Sequence, residues 1–225
     1  MRISIAGVIV PDDDLRVYKL YGITATSPSS VRQALQAANG ADVVVTINSG
    51  GGDVFAGDEI YTILREYPGH VLIQVQSMAA SAAAIIAMAR ESEMSPVAQL
   101  MIHNVASGAR GDYREMDRAS KRLRTANQAI AAAFVAKTGK PEAEILALMD
   151  NETWYSAQQA VAEGFVDRII APAQTAEKPM QMAASFGSGL LPPRVIDDAK
   201  AHLKKTAQAC AEAEYNYLIL EGKTK

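Results

Sequence analysis

The sequence predicts an α/β protein built on a parallel sheet with right-handed crossovers, and three observations carry that prediction. Short β-branched runs alternate with helical runs through the first hundred or so residues, the pattern left by strand–helix–strand crossovers. At 225 residues with 49% hydrophobic content, the chain holds enough apolar material for one core and not two. After Ile170 the periodic pattern gives way to a stretch rich in Ala, Pro, Gly, Ser and Met, which marks an appendage beyond a single domain.

Arg2 to Val10 reads as the first strand, being short, β-branched and bounded by turn residues. Ser30 to Ala38 follows as a helix stopped by Gly40, and Val43 to Ile47 is the next strand. A helix over Val54 to Arg65, a strand over Val71 to Val75 and an alanine-rich helix over Ser81 to Ala89 continue the alternation. Leu100 to His103 is the last of these strands.

Asp112 to Thr138 carries Met116, Ala119, Leu123, Ala126, Ile130 and Phe134 at the spacing of one helix face. A helix that long reaches roughly 40 Å, at about 1.5 Å per residue, more than the domain needs for its own core. It is expected to project and pack on a partner subunit, the alternative being a helix laid along the sheet. Its Arg114, Arg118, Lys121, Arg122 and Arg124 read as a solvated face. The expected division is a domain over 1–171, a linker over 172–194 and an amphipathic helical tail over 195–225, its stripe running through Ile196, Leu203 and Cys210.

The formal charge of −3 argues against nucleic acid as a partner, since phosphate binding calls for a basic surplus. The longest apolar stretch, Met78 to Ala89, is about half the length that spans a bilayer, and no leader-like segment opens the chain. A cytoplasmic protein with no membrane partner is expected. The single cysteine, Cys210, excludes an internal disulfide and a thiolate metal cluster, and three scattered histidines speak against zinc. No metal and no cofactor are expected.

Three segments combine chemistry with position, each standing where a strand ends and a loop or helix begins. In Asn48-Ser49-Gly50-Gly51-Gly52-Asp53, glycines follow a strand and precede a helix. Such a turn lets backbone amides converge on a phosphate or an oxyanion, or is simply tight. The lysine of a phosphate loop and the dinucleotide spacing are both missing. Ser81, within Ser77-Met78-Ala79-Ala80-Ser81-Ala82-Ala83-Ala84, is either a nucleophile at a strand-to-helix turn or an ordinary N-cap. His103 ends an apolar strand, either as a structural histidine or as a base, 22 positions after the serine. Serine, histidine, glycine loop and a later acidic cluster together supply the parts of an acyl-transfer site.

These segments, in this order, resemble the proteolytic subunit of Clp-type proteases, and especially its phage-encoded head-maturation relatives. Ile47 to Gly52 resembles the family's oxyanion loop, with Gly50 replacing a usual proline. Ala79-Ala80-Ser81-Ala82 resembles its nucleophile segment, Leu100 to Asn104 its histidine strand, and Ser156 to Asp167 its closing helix and strand. The resemblance runs from about Arg2 to Ile170. It implies the Clp/crotonase-like fold of stacked ββα units, with Ser81 as nucleophile, His103 as base, and the amides of Gly52 and Ala82 as the oxyanion hole. The family's third catalytic residue is an aspartate four positions before the serine of its Ser-Ala pair; that register falls on Glu152, with Asp150 as the alternative.

A serine endopeptidase is therefore expected, acting on polypeptides within a homo-oligomeric ring, heptameric and single or stacked double. A phage-type role in cutting scaffold or capsid precursors, in the host cytoplasm or prohead, is favoured by the tail. A housekeeping-like peptidase fed by a ring ATPase is the alternative. An acyl-CoA enzyme of the crotonase type and a non-catalytic assembly component are the rivals from other classes.

Overall fold

The computed structural model describes residues 1–171; the expected linker and the helical tail lie outside the described residues. The elements in order are β1 (Arg2–Ile9), α1 (Asp12–Leu20), β2 (Ala25–Thr26), α2 (Pro28–Ala38), β3 (Val43–Gly52), α3 (Val54–Glu66), β4 (Val71–Ala80), α4 (Ala82–Ala87), β5 (Glu91–Met94), β6 (Gln99–Ile102), α5 (Tyr113–Thr138), α6 (Glu142–Asp150), β7 (Thr153–Ser156), α7 (Ala157–Ala162) and β8 (Arg168–Ile169). Met1–Leu15 and Thr24–Ile170 form the α/β body; Arg16–Ile23, the end of α1 and its following turn, form a separate unit closed by the Ile23 N–H on the Tyr18 carbonyl at 2.9 Å.

The sheet runs β2-β1-β3-β4-β5-β8 with every pair on that path parallel. In-register rows Ile3–Val45–Ile73 and Ile5–Ile47–Val75–Met94 are buried and supply the core. The intervening row, Ser4–Thr46–Gln74–Glu93–Arg168, is polar, and Gln74 and Arg168 both bond to Glu93. Period-two alternation thus separates a buried face from a polar one. The first half of β4 pairs with β5 and its end with β6, which in turn pairs with β7 antiparallel. This switch of partners carries the last residues of β4, and Ser81 after them, beside the end of β6.

α5 is capped at its start by Asp112, whose side chain accepts from the Arg114 and Glu115 amides, and at its end by Gly139 in the left-handed region. Only Ile130, Ala131, Ala133 and Phe134 of this helix are buried. Its second half packs on α4 and α6, with Phe134 edge-on to Phe165. Among the described residues the first half has no fully buried side chain, and Tyr113 and Met116 are 74% and 39% exposed. The expected projection is observed, and the helix does not lie along the sheet.

Candidate active site

β3 continues through the glycines instead of turning before them. Ser49 Oγ donates to the Gly7 carbonyl at 2.6 Å and accepts the Gly51 amide at 3.0 Å, so Gly51 has no free N–H to offer. The Asp53 amide bonds the Ile9 carbonyl at 2.8 Å. Gly51 and Gly52 have φ 96° and 152°, so the strand leaves regular geometry at its end. Asp53 caps α3 by accepting the Ala56 amide at 2.8 Å.

Ser81 follows β4 without an intervening loop and has φ 57°, ψ −126°, a backbone state that side chains disfavour. Its amide donates to the Met101 carbonyl at 3.0 Å, which fixes it to β6. It stands at the cap position of α4, yet its hydroxyl makes no cap bond. Instead, Ser81 Oγ lies 2.8 Å from His103 Nε2. Ala82 opens α4, and the first amides of a helix have no intrahelical acceptor. A serine side chain withheld from capping and turned to a histidine is the arrangement of an activated hydroxyl.

Small residues make this turn possible. A Cβ on Gly51 would lie 2.7 Å from both the Ala80 carbonyl and Ser81 Cβ, and one on Gly57 would lie 2.9 Å from Ala82 Cβ. Sequence reasoning singled out the glycine run but not Gly57, whose helical position gives no local signal.

A cleft of about 560 Å³ opens over the pair. Its lining includes Gly52, Ala82 and the start of α3, the irregular segment 104–108, and the α5 face at Leu123 and Ala126. Phe55 at its edge is 74% exposed. Ser81, His103, Gly52 and Ala82 are therefore brought together. The acids are placed differently. Glu152 accepts Trp154 Nε1 at 3.3 Å, and Asp150 accepts Asn104 Nδ2 at 2.7 Å. Among the described residues, His103 Nδ1 has no hydrogen-bond partner. The β6–β7 register ends where Ile102 pairs with Thr153; His103 follows the one strand, and Glu152, at φ 46°, precedes the other.

Sequence reasoning passed over two side chains, one tied to the cleft wall and one on α3. Asn127 on α5 accepts the Val105 amide at 2.8 Å and donates to Asn104 Oδ1 at 2.8 Å. Asp58, half-buried on α3 and facing the Asp53 carboxylate, is pushed up to about 6, chiefly by burial. Among the described residues, no group of three or more His, Cys, Asp or Glu is placed to hold a metal ion, and no helix is long and apolar enough to cross a membrane.

Comparison with known proteins matches residues 25–173 to the family model described as Clp protease. The ATP-dependent Clp protease proteolytic subunit 3 of Rhizobium meliloti is 29% identical over 140 residues, 61% of this chain and 72% of the relative. Proteolytic subunit 1 of Streptomyces avermitilis is 30% identical over 132 residues, 57% of this chain and 61% of the relative. Among solved structures, a ClpP1 mutant from Listeria monocytogenes superposes with a TM-score of 0.62 at 22% identity, covering 76% of this chain and 92% of its own.

Proposed function

Because the chain belongs to the Clp protease family, we propose that it is a serine endopeptidase in which Ser81 attacks the peptide carbonyl and His103 is its base. The observation that carries this reading is the 2.8 Å contact between Ser81 Oγ and His103 Nε2 at a strained strand-to-helix turn. In the productive tautomer Nε2 accepts the hydroxyl proton as Oγ bonds to the carbonyl carbon. The same nitrogen then protonates the leaving amine as the C–N bond breaks. Water, deprotonated by His103, releases the acyl group by the reverse sequence. The amides of Gly52 and Ala82 hold the oxyanion, each contributing on the order of 3 kcal/mol.

With Nε2 accepting, Nδ1 carries the proton and needs an acceptor. Glu152 is the acid we assign to it, supported by the family's register and by its place next to Thr153, whose strand partner Ile102 precedes His103. To reach Nδ1 the carboxylate leaves its long bond to Trp154. Asp150, the other candidate, is already engaged by Asn104.

The proposed assembly is a homo-oligomeric ring, heptameric and either single or stacked double, that takes polypeptide substrate into its interior; the unburied first half of α5 supports it. The finer proposal, cleavage of phage scaffold or capsid precursors instead of feeding by a ring ATPase, rests on the sequence beyond residue 173, where the family match ends. We further propose that 1–171 is the peptidase domain and 172–225 a separate linker and tail.

Fluorophosphonate labelling with peptide mapping tests the site. The expected result is modification of Ser81 in the wild type and none in Ser81→Ala, with His103→Ala slowed by about 10³-fold or more. An intact ring that never labels overturns the reading. Glu152→Gln is expected to lower kcat by roughly 10²- to 10⁴-fold while KM holds. Unchanged kcat in that variant removes Glu152 from the acid role.

A further inference from the structure

Part of the cleft wall is the segment 104–108, which has no regular structure. Left to itself such a segment samples many conformations, and a substrate would have to order it on binding. One chain of side-chain hydrogen bonds holds it. The Val105 amide donates to Asn127 Oδ1 (2.8 Å), Asn127 Nδ2 donates to Asn104 Oδ1 (2.8 Å), and Asn104 Nδ2 donates to Asp150 Oδ1 (2.7 Å). All three bonds run in one direction and end on a carboxylate, the arrangement in which each bond polarises the next. Among the described residues, the Val105 bond is the only one that ties a backbone amide of 104–108 to another element.

We propose that Asn127, bracing Asn104 and Val105 against α5, is a positioning residue that holds the 104–108 wall in the form that receives substrate. Asp150 serves as the terminal acceptor of this brace. The proposal rests on the peptidase reading above, and it assigns Asn127 to substrate affinity and not to the Ser81–His103 pair. Asn127 lies one helical turn from the lining residue Leu123 on α5 and is not itself among the residues that line the cleft.

The full-length protein tests this with two readouts in parallel: steady-state hydrolysis of a fluorogenic peptide, and the rate at which a small fluorophosphonate modifies Ser81. For Asn127→Leu the expected result is a KM raised about 10-fold, with kcat and the labelling rate within about 3-fold of wild type. Asp150→Leu is expected to raise KM by about 3-fold, and Asp150→Asn, which keeps the acceptor oxygen, to restore it. Should Asn127→Leu fail to fold, Asn127→Asp keeps acceptance from Val105 and loses donation to Asn104, and the expected KM is intermediate. An unchanged KM overturns the proposal. So does a labelling rate that falls in step with peptide turnover, because the brace would then act on the catalytic pair. A wild type that neither labels nor cleaves instead removes the peptidase reading on which the proposal rests.

Discussion

At φ 57° and ψ −126°, Ser81 occupies backbone space open to glycine and costly for any residue with a Cβ, by about 1–3 kcal/mol. The surroundings hold it there: its amide bonds Met101, and Gly51 leaves room for its Cβ. Ser81→Gly is therefore expected to raise stability by about 1 kcal/mol, after the added flexibility of the unfolded glycine is subtracted, while abolishing labelling. A urea midpoint equal to or below that of the wild type would show that the turn stores no strain. Ser81 and His103 could be picked out in the sequence through the order of the three segments and their resemblance to the Clp-type subunit, since taken singly each also read as a helix cap or a structural histidine. The conformation was not legible, since serine gives no sign of positive φ. Nor was Asn127 legible, because a lone amide in a polar stretch of helix has many uneventful uses.

Among the elements, α3 shows how a local cost is tolerated beside the cleft. Burial and the nearby Asp53 carboxylate push Asp58 up to about 6, above its unfolded value of about 3.9. The folded state thus binds more protons between those values. The contribution of Asp58 is at its most favourable below about pH 4 and is lost as pH rises through about 6. Asp58→Asn is expected to stabilise the protein by roughly 1 kcal/mol at pH 7, a figure reduced for partial solvent screening, and to have no stabilising effect at pH 4. Thermal melts at the two pH values check this. The element pattern itself was largely legible: the helix expected over Val54 to Arg65 spans Val54–Glu66, and that expected over Asp112 to Thr138 spans Tyr113–Thr138. Capping explains the agreement, since Asp53 and Asp112 both accept amides of the helix they precede. β5, β7 and β8 have at most four residues each, too short for a period to declare itself; their partners define them.

For the molecule as a whole, Asp167 draws distant parts of the chain together. Its carboxylate accepts the Ser92 amide at 2.7 Å at the sheet and Lys137 Nζ at 2.5 Å from the end of α5, and Lys137 also reaches the Arg90 carbonyl. Burial opposes ionisation here, but Lys137 and the Ser92 amide outweigh it and hold Asp167 below the usual carboxylate range. The stabilisation is present above about pH 4 and is lost as pH falls through the lowered folded value. Asp167→Asn is expected to cost about 1–2 kcal/mol at pH 7, with the gap to wild type narrowing as pH falls below about 4. Denaturation curves across that range would reveal whether the gap stays constant, which would exclude the ion pair as its source.

The bare first half of α5 has a consequence in mass action. A helix end with no fully buried side chain among the described residues takes much of its tertiary stabilisation from whatever covers it. When that cover is further copies, as proposed for the ring, the melting temperature becomes a function of how much protein is present. Dilution would then loosen the half-helix Tyr113 to Gln128 first and, through Asn127, the wall of the cleft. Specific activity per chain would fall on dilution before any loss of the sheet.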